Sequence, residues 1–380
     1  MIGIKLLVIT SLFLCQLSTH ISGQSQQDSA TNISQITGLV EDSNELIFGL
    51  SEDDIYLTVG EQNVSSFLSD GSLMFNDKLP PIEDSLLNSQ IIIQDNKIYR
   101  FIYSSLPIIS RDNTISPTLK NITVEIFDDF TELVDFFELN EKEVVHDVII
   151  LDDDNFIMLL YMPNTRTMSI KKISKNKGVT QERVLSKTGT SYQKLLLTID
   201  QNVLCIASSM GSDSKNLVYL DSDFNSIFEI QTTMFSRQVR QLIDESFMVI
   251  GKRWSPKRAS DNIVGIYSSR GMFKKEYSLS EEIDKRYISG FGRNDKLIVL
   301  AIDKSKENRI NIRCFNNSLK KINEFDIEGV SYTKTKLLPN KIGGFTFIAG
   351  DLIKDDFGVL KNKSDKLLLI QIDEKCSNPF

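Results

Sequence analysis

One short pattern recurs along this chain and restricts the folds that it can adopt. An apolar run, a polar turn, a second apolar run, a loop and a hairpin return at similar intervals. The five clearest turns, 44 to 49 residues apart, fall at Asn155, Asn202, Ser246, Asp295 and Asn340, with fainter copies at Asn44 and Asn96. A unit of this length cannot bury its own apolar faces, so neighbouring units must pack against one another. The pattern therefore predicts a repetitive fold built from strands.

The fifth unit shows the strand pattern most clearly. Apolar or alternating runs at 238–243, 247–251, 263–267 and 272–279 are separated by turns rich in Asp, Asn, Ser and Gly. A continuous apolar run such as 247–251 suits a strand buried on both faces, and the turn residues supply the backbone conformations of hairpins. Each unit thus predicts a four-stranded antiparallel meander, and no segment predicts a helix.

A chain of such meanders resembles a β-propeller, the all-β fold in which four-stranded antiparallel blades surround an axis. Seven units predict seven blades, with six blades and a capping element as the alternative. The last unit ends after its third strand, so the segment near 32–36 could supply the fourth strand and close the ring. The resemblance concerns the fold alone: a kelch-like double glycine occurs once, at Gly343-Gly344, and no closer family is indicated.

The N-terminus has the features of a secretory signal peptide. Lys5 precedes an apolar stretch at 6–14, and small residues follow up to Gly23, where we expect cleavage. An uncleaved anchor is the alternative, although the stretch is shorter than the ~18 residues that a membrane helix needs. We expect a signal peptide at 1–23, a polar tail or ring-closing strand at 24–35, and a single propeller domain at 36–380.

The charge and the predicted signal peptide together limit the classes of partner that we expect for the chain. The formal net charge is −8, which argues against nucleic acid as a partner. No later apolar stretch is long enough to span a membrane. We therefore expect a secreted, extracellular protein without a membrane span.

Cysteines and sequons fit an extracellular protein. Cys205 lies in an apolar strand and is expected to be a buried free thiol. Cys314 and Cys376 could form a disulfide, although sequence cannot set the pairing. Five Asn-X-Ser/Thr sequons mark candidate glycan acceptors, some of which we expect to be occupied. They are Asn32, Asn63, Asn121, Asn316 and Asn362.

Few residues suit acid–base or metal chemistry. Beyond the predicted signal peptide, His146 is the only histidine, and it lies in an apolar strand, which favours a packed side chain. A Ser-His-Asp or Cys-His site would have to be built around it, and a His-rich zinc site cannot form. The acidic runs 152–154 and 221–223 coincide with turns, where Asp bonds its own backbone. We therefore predict no catalytic residue, no metal site and no cofactor.

One loop is unusual in its charge. The segment 251–258 contains the only Trp and four cations in an otherwise acidic protein. In a blade it would join the second and third strands, on the face that propellers use for binding. Such a rim could hold an anionic or aromatic ligand, or an acidic protein surface, and a solvated loop is the simpler interpretation. The candidate binding residues are Arg253, Trp254, Lys257 and Arg258, with Arg111, Arg166, Lys304 and Lys306 in equivalent loops.

Three functions remain open on these observations. The favoured hypothesis is non-catalytic binding of an extracellular protein or small ligand on the loop face of the propeller. The first alternative is a secreted hydrolase or lyase with a carboxylate or metal site in the central channel. The second alternative is a structural or adhesive extracellular protein. Because one fold hosts many functions, the residues of the functional site, and not the fold, must distinguish these three.

Overall fold

The computed structural model describes parts of the chain between residues 33 and 377. These parts are 33–37, 47–50, 56–59, 63–68, 72–82, 84, 87–94, 97–104, 119–128, 132–163, 165–186, 192–198, 200–207, 217–230, 232, 234–242, 244–253, 262–280, 287–291, 297–304, 309–316, 318–340, 344–354 and 360–377. The predicted signal peptide lies outside the described residues.

The described residues form 28 strands. The first, β1 (Ile33–Thr37), is followed by the strands of the first four sheets. These are β2 (Ile47–Leu50), β3 (Tyr56–Val59), β4 (Asn63–Phe67) and β5 (Leu73–Lys78); β6 (Leu87–Gln94), β7 (Lys97–Ser104), β8 (Ile122–Asp128) and β9 (Glu132–Leu139); β10 (Val144–Asp152), β11 (Asn155–Met162), β12 (Thr167–Ser174) and β13 (Gly178–Ser186); β14 (Tyr192–Leu197), β15 (Val203–Ala207), β16 (Leu217–Leu220) and β17 (Ser226–Ile230).

The remaining strands form three further sheets, the last of which β1 completes. They are β18 (Met234–Gln241), β19 (Phe247–Arg253), β20 (Asn262–Tyr267) and β21 (Phe273–Ser280); β22 (Tyr287–Phe291), β23 (Leu297–Lys304), β24 (Arg309–Asn316) and β25 (Lys321–Glu328); β26 (Val330–Pro339), β27 (Phe345–Lys354) and β28 (Leu360–Ile372).

The described strands form seven four-stranded antiparallel sheets. In the first six the strands pair in chain order, so each sheet is the meander that the repeat predicts. The first strands of neighbouring sheets contact one another: β10 contacts β14, and β22 contacts β26. The first strand of the first sheet, β2, also contacts the first strand of the last sheet, β26. The sheets therefore follow one another around a closed ring. The all-β propeller prediction, with seven blades, is confirmed.

The apolar core lies between the blades. Each described cluster joins two consecutive sheets: one combines strands β7 and β8 with β10 and β11, and another combines β11 and β12 with β15 and β16. In the first cluster Phe156 is fully buried and meets the rings of Phe101 and Phe137 at 5.6 and 6.0 Å. Strands covered on both faces explain the continuous apolar runs in the sequence.

The seventh sheet joins the two ends of the described chain. Its order is β26, β27, β28 and β1, and β1 pairs with β28 from Ile33 opposite Ile370 to Thr37 opposite Lys366. Residues 33–35, which the sequence assigned to a tail or a ring-closing strand, belong to this sheet. The N-terminal strand thus covers the edge that β28 would otherwise expose.

The C-terminal turn is fixed to the sixth blade. A disulfide joins Cys314 in β24 to Cys376, which follows β28, and the Nδ2 of Asn323 donates a hydrogen bond of 2.9 Å to the carbonyl oxygen of Cys376. Cys205 is a fully buried free thiol in β15. Two adjacent blades are therefore linked both covalently and by hydrogen bonding.

In the first unit the turn predicted at Asn44 is wrong. Strands β2 and β3 pair with each other, so Asn44 precedes the first strand of the blade and does not lie between its first two strands. No helix occurs in the described ranges, so nothing there could act as a membrane-spanning helix.

Candidate functional site: the channel mouth on the crossover face

The two faces of the ring differ in which connections they carry. One face, called here the crossover face, carries the links between blades, such as 140–143 between β9 and β10, and the loops between second and third strands. The opposite face, called here the turn face, carries the hairpin turns between first and second strands and between third and fourth strands. The first strand of each blade lies innermost, so the ends of these strands at the crossover face surround the channel mouth.

The innermost strands carry a repeated irregularity at the crossover end. In three consecutive blades one residue is inserted into the pairing of the first strand with the second: His146 in β10, Gln193 in β14 and Arg237 in β18. In the seventh blade, residues 332–335 of β26 occupy the same region of their strand. Each single insertion precedes by nine residues the turn residue that marks its repeat, namely Asn155, Asn202 and Ser246. Such β-bulges redirect side chains and are common at rims and functional sites.

A buried carboxylate links the innermost strands of three blades. Asp147 follows the first bulge and is 8% exposed. Its Oδ2 accepts a hydrogen bond of 2.7 Å from the backbone N–H of Leu195 in β14, and its Oδ1 accepts one of 3.3 Å from the Nε2 of Gln90 in β6. The ammonium of Lys194 lies 3.7 Å from the same carboxylate. Asp147 therefore satisfies an innermost-strand amide and fixes the channel wall.

The bulge residue His146 is half-buried, and its ring meets the edge of Tyr161 at 6.0 Å between centroids. Burial lowers the pKa of His146 below its ordinary value, and the adjacent charge of Asp147 opposes that shift only in part. The imidazole is therefore neutral at pH 7 and can accept a proton or a hydrogen bond. His146 lies in a strand, as the sequence predicts, but it is only half-buried and occupies a bulge that the sequence did not predict.

The predicted cations are partly described. Arg166 is exposed, with a φ of 55°, in the loop after β11; Arg253 is the last residue of β19, and Lys304 is the last residue of β23. These three positions share the crossover face but belong to three different blades. Arg111, Trp254, Lys257, Arg258 and Lys306 lie outside the described residues.

The acidic runs are turn residues, as predicted. Asp152 Oδ1 accepts hydrogen bonds from the backbone N–H of Asp154 and the Nδ2 of Asn155, at 2.9 and 2.8 Å. Asp221 Oδ1 accepts bonds of 2.9 and 2.8 Å from the backbone N–H groups of Asp223 and Asn225. These carboxylates fix hairpins on the turn face. Among the described residues no group of three or more His, Cys, Asp or Glu is placed to hold a metal ion.

The turn face also has an open cleft of about 540 Å³ between the second and third blades. Its central contact joins Asp153 to the ammonium of Lys97 at 2.6 Å and to the hydroxyl of Tyr99 at 2.7 Å. The hydrogen bond from Lys97 is the main reason that the pKa of Asp153 is lowered. The cleft therefore contains a satisfied cross-blade contact.

Two sequons can be placed with their side chains. Asn121 directly precedes β8, and Asn316 ends β24. The Oδ1 of Asn316 accepts hydrogen bonds from the backbone N–H groups of Ser318 and Lys320, at 3.0 and 2.9 Å. Asn63 lies in β4 and Asn362 in β28, where only the backbone is described, and Asn32 lies outside the described residues.

Comparison with known proteins supports the fold class. No family model and no curated protein matches the chain. Solved structures that resemble it include a chain of the mitotic checkpoint complex (10% identity, TM-score 0.56, covering 93% of this chain and 98% of that chain). Virginiamycin B lyase from Staphylococcus aureus (10%, 0.52, 90% and 99%) and the WD40 domain of Neurospora crassa Pan2 (10%, 0.53, 91% and 97%) are also similar. The chain is a β-propeller. At this identity the likeness extends to the fold alone.

Proposed function

We propose that the chain is a secreted, non-catalytic binding protein whose crossover face takes an extracellular protein or a small anionic or aromatic ligand. The observation that carries this proposal is the run of bulges at His146, Gln193 and Arg237 in consecutive innermost strands. Because the bulges occur in neighbouring blades at the same end of the channel, they shape one surface, the channel mouth on the crossover face. Asp147 ties two of these strands, β10 and β14, to each other and to β6.

Charge on the crossover face supports an anionic partner. Arg166 is exposed and the side chain of Lys194 is 62% exposed, so both can reach a ligand. The nearby carboxylates of Glu141 and Glu143 are already engaged by the ammonium of Lys171, at 2.5 and 2.8 Å. The exposed cations Arg166 and Lys194 are the groups through which this face would attract an acidic surface and speed its association.

The test reverses three charges on the crossover face, with the substitutions Arg166→Glu, Arg253→Glu and Lys304→Glu. Species that co-purify with the secreted wild-type protein are identified by mass spectrometry. Acidic and tyrosine-containing peptides are then titrated as defined probes by interferometry at physiological salt. We expect the affinity to fall by at least tenfold, about 1.4 kcal/mol. Unchanged capture and unchanged peptide affinity would show that this face is not the binding surface.

The matched control reverses three exposed cations of the turn face, with Lys177→Glu, Arg270→Glu and Lys320→Glu. It changes the net charge by the same amount in the same three blades. We expect the control to keep most of its affinity. An equal loss in both triple variants would mean that binding depends on net charge and not on the crossover face.

An enzyme of the hydrolase or lyase kind is the second candidate. The observation that favours it is the neutral His146 at the channel mouth, beside Asp147 and the ring of Tyr161. A positioned neutral imidazole is the commonest general base. The candidate is tested by turnover of an ester panel with wild-type protein and with His146→Gln. Turnover that His146→Gln abolishes, while peptide binding persists, would favour the enzyme over the binding protein.

A further inference from the structure

A second cavity opens at the crossover end of the second blade, away from the bulges. Its volume is about 360 Å³, within the ~300–1,000 Å³ of small-ligand sites. One part of its wall is apolar, from Leu87 and Ile102. The other part is polar, from Glu138 and Lys142, which are both exposed, and from the side chain of Asn121. A ligand with one apolar face and several hydroxyl or amide groups matches this wall.

The amide of Asn121 is incompletely satisfied in the cavity. Its Oδ1 is buried and is one of a few described side-chain acceptors that have no hydrogen-bond partner. Its Nδ2 donates only a long bond of 3.5 Å to the Oε2 of Glu138. A buried acceptor without a donor costs about 1–3 kcal/mol, and the Nδ2 makes only this one long bond, so a substituent on the Nδ2 would disrupt little of the present hydrogen bonding. Asn121 also begins the sequon completed by Thr123.

We propose that Asn121 is N-glycosylated and that its first N-acetylglucosamine occupies this cavity. This inference rests on the secretion included in the proposed function, and not on the binding role. The Nδ2 of Asn121 attacks C1 of the sugar on a lipid-diphosphate oligosaccharide donor, one amide proton leaves, and the lipid diphosphate departs. A primary amide has two N–H groups, so the remaining one can still face Glu138.

The chemistry of the sugar fits the wall. The apolar face of the pyranose ring packs on Leu87 and Ile102, and its hydroxyl and acetamide groups face Glu138 and Lys142. The opening to solvent lets the rest of the glycan leave the protein. Asn316 offers a contrast, because its Oδ1 is already used by two backbone N–H groups of its own turn.

The first test measures the molecular mass of the protein after secretion from a eukaryotic host. Residues 1–23 are replaced by a proven leader, so that secretion does not depend on the predicted signal peptide. Thr123→Val removes the sequon with little change in shape, whereas Thr123→Ser keeps it. We expect Thr123→Val to lose the mass of one glycan and Thr123→Ser to retain it. Asn121→Gln is the second variant, in case Thr123→Val fails to fold. Equal glycan mass in wild type, Thr123→Val and Asn121→Gln would overturn the modification.

The second test locates the sugar. An amidase that cleaves between Asn and the first sugar is applied to the native protein and to the denatured protein. We expect release from Asn121 to be at least tenfold slower in the native state, because the bond lies in the cavity. Equal rates, with the glycan present, would overturn the placement in the cavity. The charge-reversal variants leave Asn121 unchanged, so a failure of the binding proposal is observed separately.

Discussion

Replacing Asp147 by Ala should destabilise the propeller by an amount that the structure allows us to work out. The backbone N–H of Leu195 loses a charged acceptor at 2.7 Å, which costs about 1.5–3 kcal/mol. The weaker bond from Gln90, at 3.3 Å, contributes about 0.5–1 kcal/mol more. Lys194 adds little, since its side chain is 62% exposed and 3.7 Å away. The expected loss is therefore about 3 kcal/mol, or ~6 °C at about 2 °C per kcal/mol.

The assay combines thermal and urea unfolding with hydrogen exchange at the amide of Leu195. Asp147→Asn keeps an oxygen acceptor, so we expect about half the loss and a slower exchange than in the Ala variant. The matched control is Asp200→Ala, which removes the same charge at an exposed turn position. If Asp147→Ala and Asp200→Ala lower stability equally, or if the Leu195 amide stays protected, then Asp147 does not fix the channel wall.

Three further predictions concern the rest of the framework. Lys171→Met should lower the free energy of unfolding by about 3–5 kcal/mol near pH 7, because it leaves the carboxylate of Glu143 buried without its ammonium partner. The loss should become smaller as the pH falls, because burial raises the pKa of Glu143 and its protonation removes the unpaired charge. Unfolding measured at several pH values checks the sign of this dependence. Gly344→Ala should destabilise the protein far more than Gly178→Ala. A Cβ at Gly344 would overlap backbone atoms at the end of β28, whereas a Cβ at Gly178 would meet open space and only the φ of 68° would be strained. The denaturant midpoints of the two variants test this difference. Cys376→Ser should cost about 4 kcal/mol, as expected for a disulfide with a sequence separation of 62, and an unchanged midpoint in non-reducing urea would contradict it.

The repeat in the sequence was enough to predict the fold, because each blade shows its first two strands as apolar runs around a polar turn. The turn predicted at Asn44 was wrong because β2 and β3 are short strands, and the polar residues before β2 resemble the turns of the other units. Spacing places the units but does not fix which strand begins each one.

The site was less predictable. The dipeptide at His146 and Asp147 is visible as a polar interruption of an apolar strand, yet sequence does not show that Asp147 reaches Gln90 and Leu195 in the neighbouring blades. A bulge adds a single residue, which changes the alternation of a strand too little to be recognised in one copy. The constant offset of nine residues from the turn was the available signal, and it becomes meaningful only when several repeats are aligned.

The pairing of β1 with β28 affects when the molecule can mature during synthesis. Six blades consist of strands adjacent in the chain and can assemble as they leave the ribosome, whereas the seventh needs its outermost strand from the start of the chain and its other strands from the end. Until β28 has been synthesised, β1 lacks its partner strand and presents an open strand edge. The synthesis of β28 therefore sets the earliest moment at which the ring can close.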